Sequence, residues 1–153
     1  MMLQKLLDRA RACLDHKTRY QTIVIPDLGA INRNSRVYTE SFARSMSGGY
    51  FGRMHGQIGH SDTGIRSITL ASHIIHRTFL AGKDLWAEYS IIDNDHGRLL
   101  YDLLQNQDFV LRPRGLGTVN SDGTIGNDYK LLAFDFIPVE EDSFSVQTPY
   151  DGE

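Results

Sequence analysis

The chain has 153 residues, of which 41% are hydrophobic and 23% are charged, and its formal net charge is −3. This length and composition predict one globular domain over residues 1–153 with its own core. The small net charge gives no overall attraction to nucleic acid or to an anionic membrane. No apolar run approaches the roughly 18 residues of a membrane span. The single cysteine, Cys13, excludes a disulfide within the chain.

The first third of the chain predicts helix, strand and loop in turn. Apolar residues at helical spacing predict an amphipathic helix over residues 3–15: Leu3, Leu6, Leu7, Ala10, Cys13 and Leu14. The segment YQTIVIPD predicts a short strand that Pro26 closes. Thr39 is placed to cap a short helix that ends near Met46. Residues 47–64 hold six glycines and lack periodicity, which predicts a long irregular loop.

The rest of the chain predicts mainly antiparallel strands. Four strands are expected, over Ile68–Phe79, Leu85–Ile92, Phe109–Leu111 and Leu131–Ile137. The first two flank AGKD, which is a hairpin signal. Asp93 or Asp95 is expected to cap a helix over Gly97–Gln105, and residues 143–153 are expected to form an extended acidic tail. One face of this helix is apolar: Leu99, Leu100, Leu103 and Leu104. These elements predict an α+β fold, a small antiparallel β-barrel with surrounding helices.

Several patterns that could carry chemistry are weak in this sequence. GLGTVN lacks the third glycine of a dinucleotide-binding loop. His73 and His76 would fall on opposite faces of a strand, so they are poorly placed to share a metal. His55, His60 and Asp62 lie in the glycine-rich segment without the spacing typical of a metal site. The basic residues are dispersed without interleaved aromatic residues: Arg33, Arg36, Arg44 and Arg53. The sequence therefore predicts no cofactor, no metal site and no specific nucleic-acid binding.

Five segments stand in an order that matches a known family. They are INRNSRVYTESF, GQIGH, the stretch from SHIIH to LLQNQ, RGLGTV, and LLAFDFIPVEEDSF. Their order and spacing resemble those of the prohead (capsid maturation) proteases of T-even-like tailed phages, a family similar in fold to the herpesvirus assembly protease. The resemblance covers roughly residues 30–144, and its specific parts are Asn-Arg-Asn-x-Arg-x-Tyr and Arg-Gly-Leu-Gly. It implies a small β-barrel with surrounding helices.

The resemblance also implies where the catalytic residues would lie. The family histidine closes a G-x-x-x-H segment, which His60 matches, although Ser61 stands where the family has a proline. The family serine lies in a Ser-Ser-Arg-Gly-x-Gly segment, whose second half matches Arg114-Gly115-Leu116-Gly117. Arg112 and Pro113 then occupy the two serine positions. Neither side chain offers a nucleophilic oxygen, so no catalytic residue is expected.

The favoured hypothesis is a catalytically inactive relative that serves as a structural virion protein, in head decoration, in the core, or in the connector or tail. The chain has no serine between Ser90 and Ser121, so a small shift of the match restores no nucleophile. The expected partners are phage capsid or other virion proteins, in multiple copies, and the expected locations are the virion and, during assembly, the host cytoplasm. Two alternatives stay open: an active serine-type prohead maturation protease that processes scaffold and capsid proteins, and a small phage protein that binds a host factor.

Arg112 and Arg114 are the candidate binding residues. Two residues apart on a strand, their side chains point to the same face, and Pro113 points to the other. Two cations so close repel unless each finds a partner, so at least one is expected to pair with a carboxylate, within the chain or on an adjacent subunit. The available acids are Asp93, Asp95, Asp135, Glu140, Glu141 and Asp142.

Overall fold

The structure is a computed structural model that describes residues 17–32, 36–46, 50–59, 68–106, 108–126 and 128–142. Its strands are β1 (Tyr20–Ile25), β2 (Tyr50–Gly56), β3 (His73–Ala81), β4 (Asp84–Ile91), β5 (Phe109–Leu116) and β6 (Lys130–Pro138). Its α-helices are α1 (Glu40–Met46) and α2 (Asp95–Asn106), and 3-10 turns lie at Ile68–Leu70 and Val139–Glu141. The predicted helix over residues 3–15 and the predicted tail over residues 143–153 lie outside the described residues and stay predictions.

The strands form two antiparallel sheets that meet at two seams. The four-stranded sheet has the order β1-β4-β3-β2, and the second sheet holds β5 and β6. At one seam β1 lies against β5, and at the other β2 lies against β6. The chain that leaves β2 runs parallel to β6, where the Gly59 N–H donates to the Phe136 carbonyl at 2.7 Å. The two sheets thus close on each other as the small, mostly antiparallel barrel that the sequence predicts.

The β3–β4 hairpin provides one wall of the core and confirms the predicted alternation. The core-facing residues of β4 are buried: Leu85, Ala87, Tyr89 and Ile91. Gly82 has a φ of +63° at the first central position of the turn, where a type II′ turn requires glycine. Side chains from both sheets and from α2 complete the core: Val24, Ile25, Ile75, Leu100, Leu111, Phe134 and Phe136.

Helix α1 begins at the cap that the sequence predicts. The Thr39 hydroxyl accepts the Phe42 N–H at 3.0 Å, which satisfies one of the backbone donors left open at the start of a helix. Ala43, one residue further, is fully buried. The cap therefore fixes the direction in which α1 packs on the barrel.

The predicted irregular loop over residues 47–64 is wrong in its central part, because β2 occupies Tyr50–Gly56. One of the glycines that suggest a loop, Gly56, lies at the crowded end of this strand. A Cβ on Gly56 would lie 2.1 Å from the Phe134 carbonyl oxygen and 2.2 Å from Nε2 of His73. Only glycine lets the end of β2 approach β3 and β6 so closely.

Two other predicted boundaries also shift. The strand expected over Ile68–Phe79 begins too early, since Ile68–Leu70 is a 3-10 turn and β3 starts at His73. The strand expected over Phe109–Leu111 continues to Leu116, through Pro113. Proline is tolerated there because the backbone ladder of β5 runs along one edge only, toward β6.

The predicted cap of α2 is wrong, because Asn94 rather than a neighbouring aspartate caps this helix. Its Oδ1 accepts the Gly97 N–H at 2.7 Å and its Nδ2 donates to the Ala71 carbonyl at 3.0 Å. Asp93 and Asp95 instead accept hydrogen bonds from Arg98. The apolar face is also narrower than predicted: Leu100 is buried, whereas Leu99 is 40% exposed.

Replacing Asn94 with alanine tests the observed cap. We expect Asn94→Ala to lower the free energy of unfolding by about 1–2 kcal/mol, because an N-cap side chain contributes about this much. Asp95→Ala is the control, since Asp95 is 81% exposed and Arg98 keeps its hydrogen bond to Asp93. We expect it to lower that free energy by less than about 1 kcal/mol. Urea denaturation followed by circular dichroism measures both. A larger loss in Asp95→Ala than in Asn94→Ala would contradict the assignment of the cap.

Candidate functional site

The segments that carry the family resemblance meet at the β5–β6 sheet. Arg112 lies opposite Asp135 and Pro113 lies opposite Phe134 in the β5–β6 ladder. Gln57 and the two residues after it run beside β6 at the seam with β2. His60, which the resemblance matches to the family histidine, follows directly and lies outside the described residues. The matched serine positions and the start of the matched histidine segment are therefore brought to the same sheet.

Arg112 is buried, and its guanidinium group forms hydrogen bonds within the chain. Its Nε and Nη2 donate to Oδ1 and Oδ2 of Asp142, each at 2.9 Å. Its Nη1 donates to the carbonyls of Ile23 at 3.0 Å and Leu111 at 2.9 Å. Arg112 is 8% exposed and Asp142 is 1% exposed. A bidentate arginine–carboxylate pair is among the stronger hydrogen-bonded geometries. Here it holds β5 against β1 at the seam that has no backbone ladder.

Arg114 forms a second buried pair on the same face of β5. Its Nε donates to Oδ2 of Asp135 at 2.5 Å. The Asp135 carboxylate is completely buried, and its Oδ1 also accepts the Gln57 N–H at 3.1 Å. This pair ties β5 and β6 to the segment that follows β2. The prediction that at least one arginine pairs with a carboxylate is confirmed for both, and both partners lie within the chain.

The two pairs act at the two seams of the barrel. The Arg112–Asp142 pair crosses the β1–β5 seam, and the Arg114–Asp135 pair meets the β2–β6 seam. Burying a charge costs several kcal/mol, and only good geometry with further hydrogen bonds offsets that cost. Both pairs meet this condition, and Arg112, at one of the two positions matched to the family serine, thus closes a seam of the barrel.

The glycines of the Arg-Gly-Leu-Gly segment make room for an aromatic ring. A Cβ on Gly115 would lie 2.4 Å from the Tyr129 hydroxyl oxygen, and one on Gly117 would lie 2.7 Å from the Tyr129 Cα. The ring of Tyr129 packs edge-on against Phe42 at 5.0 Å between centroids, and burial raises the pKa of its hydroxyl. These two glycines are therefore explained by packing of the strand against Tyr129 and α1.

A buried serine–histidine pair lies close to this sheet. The Ser72 hydroxyl and Nδ1 of His73 are 2.8 Å apart, and Nε2 of His73 is 2.7 Å from the Phe134 carbonyl. Because a carbonyl only accepts, Nε2 carries the hydrogen and Nδ1 accepts from Ser72. Burial lowers the pKa of His73 to about 4, against the hydrogen bond to Phe134 and the charge of Asp135, which raise it. Ser72 and His73 are both fully buried, so the pair is closed to a substrate.

A second serine–histidine pair escapes sequence reasoning. Nε2 of His76 lies 2.9 Å from the Ser90 hydroxyl, across the β3–β4 hairpin. The two residues are 14 positions apart, and a register shift between Ile75 and Arg77 brings His76 to face Ser90. Only the hairpin register could have revealed this contact, and the sequence alone does not predict the register shift. Ser90 is 7% exposed.

Those of the remaining candidate residues that the structure describes do not form a metal site. Within the described ranges, no group of three or more His, Cys, Asp or Glu side chains is arranged to hold a metal ion. In the same ranges, none of the helices is both long enough and apolar enough to span a bilayer. Arg44 pairs with Glu40 on the surface of α1. Asp62 and Arg33 lie outside the described residues.

Substitution of Arg112 tests the closure of the β1–β5 seam. Arg112→Ala takes both guanidinium hydrogen bonds from the buried Asp142 carboxylate, so we expect it to lower the free energy of unfolding by about 3–5 kcal/mol. Arg44→Ala is the matched control, because its pair with Glu40 is exposed and should contribute only about 0.3–0.5 kcal/mol. The double change Arg112→Met, Asp142→Leu should recover most of the loss. Urea unfolding measures all three. Equal losses for Arg112→Ala and Arg44→Ala would show that the buried pair does not hold the seam.

His73 makes the stability depend on pH. Its ordinary pKa of 6.5 falls to about 4 in the folded chain, so the unfolded chain binds more protons between these values. The stability that the neutral ring confers is complete above pH 6.5 and is lost as the pH falls toward 4, by on the order of 3 kcal/mol. Urea unfolding between pH 7.5 and 4 should show a shallower slope for His73→Gln than for the parent chain. Equal slopes in His73→Gln and the parent chain would refute the prediction.

Comparison with known proteins supports the fold. No protein-family model matches the chain, and no curated protein matches it by sequence. Among solved structures, the chain is similar to the capsid assembly protease of bacteriophage T4, gp21, with a TM-score of 0.65 and 18% identity over 78% of this chain and 80% of that chain. At this identity the likeness is one of fold. The chain thus has an α+β fold like that of the T4 capsid assembly protease, and the fold that the sequence resemblance implies is confirmed.

Proposed function

We propose that this chain is a capsid-assembly protein of a tailed phage that keeps the prohead-protease fold without its serine chemistry. In this proposal it remains in the particle as a structural component. The observation that carries the proposal is the burial of Arg112 in a bidentate pair with Asp142. Arg112 stands at a position matched to the family serine.

The chemistry of the β5 segment supports the absence of a nucleophile. A serine protease needs a hydroxyl whose proton a histidine can accept, beside N–H donors for the oxyanion. Arg112 has no nucleophilic oxygen and stays cationic at ordinary pH. Pro113 has no hydroxyl and no backbone N–H. Both the nucleophile and a possible backbone donor are thus missing from this segment.

The buried pairs explain why a single substitution would not restore catalysis. Arg112→Ser would place a hydroxyl on β5, but it would also remove the hydrogen bonds to Asp142 and to the Ile23 carbonyl. The barrel would lose the closure of one seam as it gained a serine. Pro113 would still lack an N–H. In this proposal, Arg112 therefore serves to hold the strands together.

Surface features are consistent with contacts to other virion proteins. Ile31 is 67% exposed and Val119 is 38% exposed. Both line an open groove of about 520 Å³, together with Arg36 and the turn from Asn120 to Gly123. Exposed apolar side chains beside a groove are typical of surfaces that bind proteins. A role for Arg112 and Arg114 in binding a partner stays a prediction, since the hydrogen bonds described for them lie within the chain.

One observation favours the alternative of an active serine protease. The part of the chain that the structure describes contains two serine–histidine contacts, Ser72 with His73 and Ser90 with His76. In both, the serine is buried. In the first pair, the second ring nitrogen of the histidine binds a carbonyl rather than a carboxylate. Neither contact offers an exposed hydroxyl to a peptide, so the inactive form is preferred.

Labelling with a serine-directed fluorophosphonate tests the loss of catalysis. We expect no stoichiometric adduct on the intact protein, because no described serine combines an accessible hydroxyl with a histidine partner. Intact-mass measurement after labelling gives the result, with trypsin as the positive control. One adduct per chain that His60→Ala abolishes would establish an active protease of the family type. An adduct that Ser90→Ala or His76→Ala abolishes would establish a protease with a relocated serine.

A further inference from the structure

The outer face of the four-stranded sheet carries an apolar row. Ile23, Trp86 and Phe79 are neighbours in register across β1, β4 and β3. On β4, Trp86 lies between Leu85 and Ala87, whose side chains lie in the core. Trp86 and its two neighbours in the row therefore point away from the core. The rings of Trp86 and Phe79 stack at 6.3 Å between centroids with 16° between their planes. All three residues of the row are half-buried.

A charged row beside it is already paired. The Glu88 carboxylate lies 3.0 Å from the Arg19 guanidinium and 3.6 Å from that of Arg77. The Cζ atom of Arg77 also lies 4.8 Å from the centroid of Phe79. Because the acid is neutralised on this face, the occupant that fits the apolar row is itself apolar and has polar edges.

The dimensions of the row match those of one helix. Three neighbouring strands, each about 4.8 Å from the next, give a row roughly 10 Å wide, and a helix with its side chains is about 10 Å across. A helix over residues 3–15 would be roughly 20 Å long. It would end five residues before Tyr20, where β1 begins. This short connection keeps such a helix beside the strand that contributes Ile23.

We propose that the apolar side of the helix predicted over residues 3–15 docks on the row formed by Ile23, Trp86 and Phe79. The six apolar residues of that side supply the occupant that the row requires, and the connection to β1 makes the docking intramolecular. The helix then covers the side of the four-stranded sheet opposite the barrel core. This inference does not depend on the proposed function.

The chain has a natural reporter on each side of this contact. Trp86 is its single tryptophan and Cys13 its single cysteine. Ala10→Asp places a carboxylate on the apolar side of the helix, and Ala12→Asp places the same group about 200° away around it. In the full chain, Ala10→Asp should shift the Trp86 emission to the red, raise its quenching by acrylamide, and speed the reaction of Cys13 with a thiol reagent. Ala12→Asp should leave all three unchanged. Equal reporter exposure in both variants and the parent would overturn the proposal.

Cross-linking decides the case if Ala10→Asp fails to fold. Ile23→Cys adds a second thiol in the row, and a short bis-maleimide should join it to Cys13 within one chain. The matched control Ser121→Cys lies in the loop between β5 and β6 and should give no such link. A cross-linked dimer would show that a second copy covers the row. A folded Ile23→Cys chain without the internal link would show that this helix does not lie there; either result overturns the proposal.

Discussion

Two buried arginine–carboxylate pairs hold the two sheets of the barrel together at its seams. The Arg112 guanidinium reaches the Ile23 carbonyl across the β1–β5 seam while both oxygens of Asp142 bind it from the other side. The Asp135 carboxylate accepts from Arg114 and from the Gln57 backbone at the β2–β6 seam. A buried charge is tolerated only when its partner and hydrogen bonds are in place. The positions of β1, of the chain after β2 and of the end of β6 therefore depend on these two pairs.

The same two pairs connect the fold to the proposed function. A serine protease needs a hydroxyl that the substrate can reach, a histidine that accepts its proton, and space for the substrate beside them. In this chain the corresponding stretch of β5 holds a fixed cation and a proline, and the glycine that follows them packs against Tyr129. These side chains favour rigidity of the β5 segment. A barrel fixed in this way suits a component that persists in an assembled particle.

Local patterns in the sequence predicted some elements well, and crowding explains most of the errors. Alternation along β4, the Gly82 turn and the Thr39 cap each depend on a few neighbouring residues, and each is confirmed. Strand β2 was missed because the close approach of Phe134, 78 positions away, requires glycine at position 56, and the neighbouring residues in the sequence do not indicate this. Pairing of the arginines followed from their charge, but Asp142 could not be singled out from six acids. Its selection depends on how the chain leaves β6, which no local pattern encodes.

In the proposed function, the chain keeps a protease fold as a structural part after the loss of its nucleophile. If, as proposed, a tailed phage encodes this chain, mass spectrometry of its purified mature virions is the most direct test. In the family that the sequence resembles the protease is removed after processing, whereas a structural protein stays in the particle. The proposed function predicts that residues 1–153 are recovered without internal cleavage and in many copies per particle. Its absence from mature virions, or its presence only as self-cleaved fragments, would contradict the account.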